Sequence, residues 1–225
     1  MSLDAPPAFR TKQELVYQQL RAAILSCDLP PDQRLVIEDL ARRYHVSSIP
    51  VREALQLLQS EGLVVMTPHV GATVAPLSRD SVLDVFTVLE GLQAVAGRLA
   101  ATTADAGMRG DLDALAEAMD AAVQDARYDE WADLNTRFHA TIGSLPGLAL
   151  LTQANAQALD RWDRVRRYYY RGVLVPRVAQ AQQDHREVMA ALNAGDASRV
   201  ELLLRRHYQS ALGSYLRYLD EKQEE

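Results

Sequence analysis

Three histidines in the C-terminal two thirds of the chain are candidate metal ligands. His139 follows Asn135 by four residues, so the two side chains share one helix face, and His185 and His207 lie on two later predicted helices. Three imidazole nitrogens and an amide oxygen suit a borderline divalent cation such as zinc or nickel, and no thiolate is required. A histidine taken alone is more often a satisfied core or surface residue than a ligand. Spacing across three helices does not show by itself that these side chains converge.

A metal-dependent hydrolase is the enzymatic alternative for such a cluster. Hydrolysis needs an open coordination position on the metal and a positioned base. The sequence contains no HExxH motif, no Gly-rich phosphate loop and no evident Ser-His-Asp arrangement. The sequence therefore does not favour an enzyme, and activity that depends on added metal would be the sign of one.

A second candidate site lies on a helix predicted to begin at Ser47. The Ser47 hydroxyl can cap amides of the first turn, Pro50 is tolerated there, and Gly62 ends the helix. A helix of this type inserts its first turn into the major groove of DNA. Ser47, Ser48 and Arg52 would then face the duplex, and Arg52 could contact a phosphate or the O6/N7 edge of guanine. The alternative is a small three-helix interaction domain with an ordinary surface arginine.

The flanking segments complete the layout of a winged helix-turn-helix. Two further helices are predicted over about residues 12–28 and 37–44. Two β-rich stretches, 63–67 and 72–75, surround a Pro/Gly turn and predict a hairpin. His69 and Gly71 would lie at the tip of this wing, where a small residue lets the backbone approach a groove. Nearby cations that could also contact DNA are Arg34, Arg42 and Arg43.

Beyond residue 77 every sizeable segment has the apolar periodicity of a helix. The predicted helices span about 79–103, 111–127, 129–144, 148–171, 177–193 and 197–219. Breaks at Gly and Pro residues separate them, which is typical of an all-α bundle. We therefore predict a mainly α protein, with a winged helix-turn-helix domain over residues 1–77 and an all-helical domain over residues 78–225.

Composition sets limits on the class of protein. The 225 residues are 48% hydrophobic, which excludes a disordered chain, and the one cysteine excludes a disulfide framework or a cysteine-rich zinc module. The chain has no apolar run of membrane-spanning length and no signal-peptide pattern at its N-terminus, so a cytoplasmic protein is expected. The net charge is -6, of which -1 belongs to residues 1–77 and -5 to residues 78–225. This balance argues against strong nonspecific binding to nucleic acid.

Several stretches resemble a known family of regulators. VSSIPVREALQLLQSEGLVVMTPHVGATVAPLS (46–78) resembles the GntR family of bacterial transcription regulators, and VYQQLRAAILSCDLPPDQRL (16–35) is similar to that family's first helix and turn. NTRFHATI (135–142), DHREVMAALNAGDASRV (184–200) and RRHYQSAL (205–212) resemble the FCD effector domain of its FadR-type branch. The resemblance implies a homodimer that binds a palindromic operator and whose affinity is controlled by a small metabolite, an organic acid.

The resemblance also implies roles for particular residues. Arg52 matches an operator-contacting arginine and Gly71 the wing glycine. The full set of candidate DNA contacts is Arg34, Arg43, Ser47, Ser48, Arg52, His69 and Gly71. The metal positions of the FCD domain correspond to Asn135, His139, His185 and His207. A ligand-sensing or scaffold protein whose winged helix has lost DNA binding is the alternative function.

The chain departs from the family pattern at four positions that bear on chemistry. Ser48 and Glu38 stand where relatives have DNA-contacting arginines, which puts the usual operator in doubt. Asn135 replaces the commoner Asp and brings no negative charge to the metal. Phe86 stands where many relatives have an Arg that holds an effector carboxylate. Candidate replacements for that Arg are Arg137, Arg161, Arg164 and Tyr168, although the Arg/Tyr run can equally be a solvated helix face.

Overall fold

The computed structural model describes residues 11–223 and separates into two compact units between Leu77 and Ser78. The first unit combines helices with a small antiparallel sheet, and the second is built from helices. The predicted mainly α fold class is confirmed. Over the described residues, no helix combines the length and the apolar character needed to cross a bilayer.

The N-terminal unit has the architecture of a winged helix-turn-helix. Its elements are α1 (Lys12–Leu25), β1 (Arg34–Leu35), α2 (Ile37–Arg43), α3 (Ser48–Ser60), β2 (Val64–Thr67) and β3 (Gly71–Val74). β2 and β3 form the predicted hairpin, in which Thr67 pairs with Gly71. The sequence did not predict β1, which pairs with the other edge of β3 and sets Arg34 opposite Thr73. Two residues are too few to display the alternating pattern of a strand.

The facing apolar sides of α1 and α3 fill the core of this unit. Residues at helical spacing on the two helices are fully buried, namely Val16, Leu20, Ile24, Val51, Ala54, Leu55 and Leu58. Thr11 is the N-cap of α1, and its Oγ1 accepts a hydrogen bond from the Glu14 amide at 3.1 Å. Because one side of α3 is committed to this core, its other side, which carries Arg52, faces solvent.

The C-terminal unit contains all six predicted helices and one π-helical turn. Its elements are α4 (Arg79–Thr103), α5 (Ala106–Gln124), α6 (Tyr128–Ser144), α7 (Ala149–Tyr168), the π-helical turn (Tyr170–Leu174), α8 (Val175–Asn193) and α9 (Ala197–Gln223). An apolar core cluster of the unit includes Trp131, Phe138 and Ile142 from α6. α6 thus contributes a buried face, as the spacing of its residues predicts.

Of the helix boundaries that differ from the prediction, two have a visible structural cause. α5 begins at Ala106 rather than near residue 111, because Asp105 Oδ1 caps the Met108 amide at 2.8 Å. This cap outweighs the low helix propensity of the two glycines in the first turns. The helix predicted over 148–171 ends at Tyr168, and the chain continues into the π-helical turn, where the Leu174 amide lies 3.5 Å from the Tyr169 carbonyl oxygen.

α4 and α9 approach each other closely at Gly97. A Cβ atom added at this position would lie 2.3 Å from Leu204 Cδ1 and 2.8 Å from Val200 Cγ1. The ion pair between Arg98 and Glu201, at 3.3 Å, lies beside this contact. The close approach fixes α9, which carries His207, against α4.

We expect Gly97→Ala to lower the free energy of unfolding. Overpacking costs about 1–3 kcal/mol, which exceeds the gain in helix propensity of at most about 1 kcal/mol. The matched control is Gly110→Ala in α5, where an added Cβ meets nothing within 4 Å. That change should raise the free energy of unfolding. Urea denaturation of both variants checks the pair, and equal stability would contradict the close contact at Gly97.

Candidate metal centre and nucleic-acid interface

The three candidate histidines converge in the core of the helical unit. His139 on α6, His185 on α8 and His207 on α9 each offer a ring nitrogen, and these atoms all lie within 4.8 Å of one another. All three side chains are buried. The ring centroids of His185 and His207 are 4.7 Å apart, and His139 lies 5.2 Å from the first and 5.3 Å from the second.

Each histidine of this cluster has an oxygen atom beside its Nδ1 atom. The pairs are His139 with Gln93 Oε1 at 3.2 Å, His185 with Gln182 Oε1 at 3.5 Å, and His207 with Asp184 Oδ2 at 3.2 Å. Amide and carboxylate oxygens accept hydrogen bonds, so Nδ1 donates in each pair. The Nε2 lone pair of each ring is therefore left for a metal ion.

Burial disfavours the charged form of these rings. It lowers the pKa of His139 and His185 well below the ordinary value for histidine, and the neighbouring His207 lowers both further. Burial also lowers the pKa of His207, although the hydrogen bond with Asp184 opposes this. Neutral imidazole is the form that binds a metal. The direction of these shifts therefore favours the form of the rings that can bind a cation.

Two buried atoms of the cluster lack a hydrogen-bond partner among the described residues. They are Asn135 Oδ1 and His185 Nε2. Leaving a buried acceptor unpaired costs about 1–3 kcal/mol unless a ligand or ion supplies the contact. Both atoms are electron-pair donors, and Asn135 and His139 line one cavity. The donor set thus fits a borderline divalent cation.

A polar network that the sequence analysis missed holds two of the rings. Gln93 Nε2 donates to the His139 carbonyl oxygen at 2.8 Å and to Asn155 Oδ1 at 2.7 Å. Gln182 accepts from Trp131 Nε1 at 3.0 Å. The spacing of three residues between Gln182 and His185 could have indicated one of these contacts. Gln93 lies 46 residues from its partner, so no local pattern points to it.

The cavity beside the histidines has aromatic walls and one arginine. Its aromatic lining is Phe86, Trp131, Trp162, Tyr208 and Tyr215, and Arg177 from α8 also lines it. Phe86 packs on Tyr215 with the ring centroids 5.2 Å apart. The hydroxyls of Tyr208 and Tyr215 are buried without a hydrogen-bond partner among the described residues. Burial raises the pKa of both phenols, so each remains a hydrogen-bond donor.

None of the four predicted effector residues lines this cavity. Arg137 and Arg161 are exposed, Tyr168 is half exposed, and Arg164 is buried outside the cavity lining. The neighbouring Arg166 shows what the Arg-rich run does, since it binds Asp133 at 2.8 Å and also pairs with Asp163. The structure instead brings Arg177 to the cavity. Nothing in its local sequence distinguished Arg177 from other helix-surface arginines.

The prediction that Ser47 caps α3 with its hydroxyl is wrong. Ser47 occupies the N-cap position, but its side chain makes no capping hydrogen bond. Where a side chain caps a helix in this protein, it accepts from the amide three residues later, as at Thr11, Ser78, Asp105 and Asp196. In α3 that residue is Pro50, which has no N–H. The first turn of α3 therefore has no side-chain cap on its amides.

The other candidate DNA contacts lie on exposed surfaces of the same unit. Ser48 and Arg52 are exposed on α3, and Ile49 between them is 65% exposed. Arg34 is exposed on β1, and Arg43 lies over the Tyr44 ring. Arg42 bonds with Asp39 and donates to the Glu38 carbonyl oxygen, so it is the least available of the three flanking cations.

The wing turn has left-handed backbone at both predicted tip residues. His69 has φ 63° and Gly71 has φ 107°. The Val70 amide closes the turn by donating to the Thr67 carbonyl oxygen at 3.1 Å. Gly71 is the residue best suited to its conformation, because a side chain there would be strained.

Comparison with known proteins agrees with this geometry. Residues 12–74 match the family model described as bacterial regulatory proteins, gntR family, and residues 84–210 match the FCD domain. An HTH-type transcriptional regulator in an unstable DNA locus of Streptomyces ambofaciens is 31% identical, over 89% of this chain and 84% of its own length. The HTH-type transcriptional repressor GlaR of Escherichia coli is 30% identical, over 85% of this chain and 90% of its own length.

A solved structure shares the fold. Escherichia coli McbR/YncC aligns with a TM-score of 0.73 at 22% identity, covering 92% of this chain and 99% of that one. The sequence matches and the fold agree on one assignment. The chain belongs to the GntR family of transcription regulators, which bind DNA and respond to effector metabolites, and it carries an FCD domain.

Proposed function

We propose that this regulator binds a palindromic operator as a homodimer, and that an organic acid held at a metal centre in the helical unit controls its affinity for DNA. The observation that carries the proposal is the convergence of three buried, neutral histidines with an unpaired Asn135 oxygen beside an arginine-containing cavity. Because the proposed operator is part of the bacterial chromosome, we expect the protein to act in the cytoplasm.

The first turn of α3 is the proposed reader of the major groove. Its amides are free of side-chain caps, and the helix dipole attracts a phosphate to them. Ser47 and Ser48 can add hydroxyl contacts, and Arg52 can form a bidentate contact with guanine. Ile49, exposed between them, offers an apolar contact of the kind that a thymine methyl group accepts.

The remaining candidates would position the unit on the backbone of the duplex. Arg34 and Arg43 are exposed cations suited to phosphates. His69 and Gly71 at the wing turn allow main chain to approach the groove closely. Such contacts would set register and orientation rather than read the sequence.

Arg52→Ala should weaken binding to the specific operator by about 1–3 kcal/mol, because it removes a base or phosphate contact. Mobility-shift titrations on DNA upstream of the protein's own gene measure this effect. Gln59→Ala, near the opposite end of α3, is the control and should bind as the wild type does.

Unchanged affinity in Arg52→Ala would exclude Arg52 as the reader. Absence of any shift with the wild type on that DNA would favour the scaffold alternative, in which the winged helix has lost DNA binding.

The metal proposed for the helical unit is zinc or nickel. Its ligands would be Nε2 of His139, His185 and His207 together with Oδ1 of Asn135. These donors suit a borderline ion, and the bound ion would act as a Lewis acid toward an anionic effector. Arg177 would hold a second oxygen of that effector. It would thus take the role that the sequence suggested for Arg137, Arg161, Arg164 and Tyr168.

Purified wild-type protein should retain about one zinc or nickel ion per chain, and His139→Ala/His185→Ala should lose it, because removing two imidazoles leaves too few ligands. Elemental analysis by mass spectrometry gives the metal-to-protein ratio. His69→Ala, with its imidazole exposed on the wing, is the control and should keep the ion. Equal metal content in the double variant and the wild type would refute the site.

The outer side of α4 is the proposed dimer interface. Val88 and Val95 are 52% and 37% exposed on this side, which also carries Gly91. Apolar residues spaced along one helix face bury well against a second copy of the same face. A homodimer would present two copies of α3 to two half-sites of the operator.

Val88→Asp/Val95→Asp should shift the protein from dimer to monomer and weaken operator binding, because charged residues would enter an apolar interface. Sedimentation velocity gives the oligomeric state. The control is Leu150→Asp on α7, since Leu150 is also an exposed apolar residue, 81% exposed. A variant with both substitutions that stays dimeric would place the interface elsewhere.

A further inference from the structure

Two of the three clustered histidines face the side-chain amide of a glutamine. The Nδ1 atom of His139 lies 3.2 Å from Gln93 Oε1. The Nδ1 atom of His185 lies 3.5 Å from Gln182 Oε1. A side-chain amide carries a donor and an acceptor of nearly the same shape, so either could face the ring. Only the oxygen accepts the Nδ1 hydrogen and leaves the Nε2 lone pair for a metal ion. The direction of each amide therefore decides whether its ring can be a ligand.

The Gln93 amide is held in one direction by two acceptors. Its Nε2 atom donates to the main-chain carbonyl oxygen of His139 at 2.8 Å and to Asn155 Oδ1 at 2.7 Å. Reversing the amide would put Gln93 Oε1 against both oxygens and leave these buried acceptors unpaired. Asn155 is itself closely seated, because a Cβ atom added at Gly143 would overlap its amide group. Asn155 thus supports the direction of Gln93 that frees Nε2 of His139.

The Gln182 amide is held by the same pattern of contacts. Its Nε2 atom donates to the Ala116 carbonyl oxygen at 3.2 Å and to Asp120 Oδ1 at 2.6 Å, both on α5. Its Oε1 atom also accepts a hydrogen bond from Trp131 Nε1 at 3.0 Å. Reversing this amide would set oxygen against two acceptors and the amide nitrogen against the indole N–H. Asp120 therefore supports the direction of Gln182 that frees Nε2 of His185.

The third ring has a partner that cannot be reversed in this way. His207 Nδ1 lies 3.2 Å from Asp184 Oδ2. Both oxygens of an ionised carboxylate accept hydrogen bonds, so rotation of Asp184 presents an acceptor in either position. The two rings with reversible partners are thus the two whose partners are held by a supporting side-chain oxygen, from Asn155 in one case and Asp120 in the other.

We infer, on the basis of the metal centre proposed above, that Asn155 and Asp120 are positioning residues of that centre. Each acts through a glutamine, which holds a histidine with its hydrogen on Nδ1 and its Nε2 lone pair available. Such hydrogen bonds raise metal affinity because they set the tautomer and the direction of the ring before the ion binds. Loss of a group that orients a metal ligand commonly lowers metal affinity by about 10–100-fold.

Calorimetric titration of the metal-free full chain with zinc measures the contribution of each positioning residue. Asp120→Ala should weaken zinc binding about tenfold, because it removes an acceptor that keeps the Gln182 amide from reversing. Asn155→Leu should weaken zinc binding by a similar factor through Gln93. The two losses should multiply in the double variant, since they act on different rings.

Two further variants separate the hydrogen bond of Asp120 from its charge. Asp120→Asn keeps an acceptor oxygen without the charge, so it should bind zinc nearly as tightly as the wild type. Asp113→Ala is the matched control, because Asp113 is also an acidic residue of α5 that accepts from a side-chain amide, that of Asn193 at 3.1 Å. It should leave zinc affinity unchanged. Circular dichroism checks that each variant folds, and the partly exposed Asp120 keeps the test available if Asn155→Leu does not fold.

Nitrogen-15 NMR of metal-free protein with labelled histidine reports the tautomer of each ring. The wild type should carry the hydrogen on Nδ1 of His139 and His185, whose signals are assigned with His139→Gln and His185→Gln. Asp120→Ala should show part of His185 with its hydrogen on Nε2, while His139 stays as in the wild type. A purely structural role for Asp120 would leave the tautomer of His185 unchanged.

Each remaining outcome is decisive. Zinc affinity equal to that of the wild type in both Asp120→Ala and Asn155→Leu would overturn the inference while leaving the proposed metal centre intact. A loss in Asp120→Asn as large as that in Asp120→Ala would assign the effect to charge and overturn the inference as well. So would a wild-type protein with the hydrogen on Nε2 of His139 and His185. Failure of the wild type to bind zinc would instead overturn the metal centre itself.

Discussion

Each histidine of the buried cluster donates its Nδ1 hydrogen to an oxygen held on a helix, and the orientation of all three rings depends on these contacts. Gln93 on α4 serves His139, while Gln182 and Asp184 on α8 serve the other two rings. A buried imidazole without such a partner would be destabilised and free to rotate. The helices that carry Gln93, Gln182 and Asp184 therefore determine which nitrogen of each ring is left for a metal ion.

The need of each polar group for a hydrogen-bond partner also bears on the first turn of α3. Side-chain caps elsewhere in the chain accept from the amide three residues into the helix, and Pro50 removes that amide. The helix gives up a cap that is commonly worth about 1 kcal/mol. In return its first-turn amides stay open to an anion. Pro50, which the first turn of a helix tolerates, thus leaves α3 without a side-chain cap, so that its first-turn amides could bind a phosphate.

Local patterns in the sequence predicted the helices and the hairpin well, because apolar spacing and Gly/Pro breaks report on burial within one element. They failed where a long-range contact decides the outcome. β1 exists because β3 provides an edge for Arg34 and Leu35. The four candidate metal ligands matched a family pattern, but Gln93 and Arg177 belong to no local motif. Arg177 lies at the start of α8, directly after the π-helical turn, and it lines the cavity. The apolar periodicity of the sequence does not reveal this turn.

The candidate DNA-binding surface and the candidate metal centre both have few side chains of the charge that would attract their ligand. The DNA-binding unit carries a net charge of -1, and Arg42 is engaged by Asp39, so few cations remain for phosphates. The candidate metal ligands, Asn135 and the three histidines, include no carboxylate. In the function proposed here, affinity for the operator would come from a second subunit and affinity for the metal ion from its effector. Binding of this kind would be conditional, because neither the operator nor the ion would be held tightly until its partner was present.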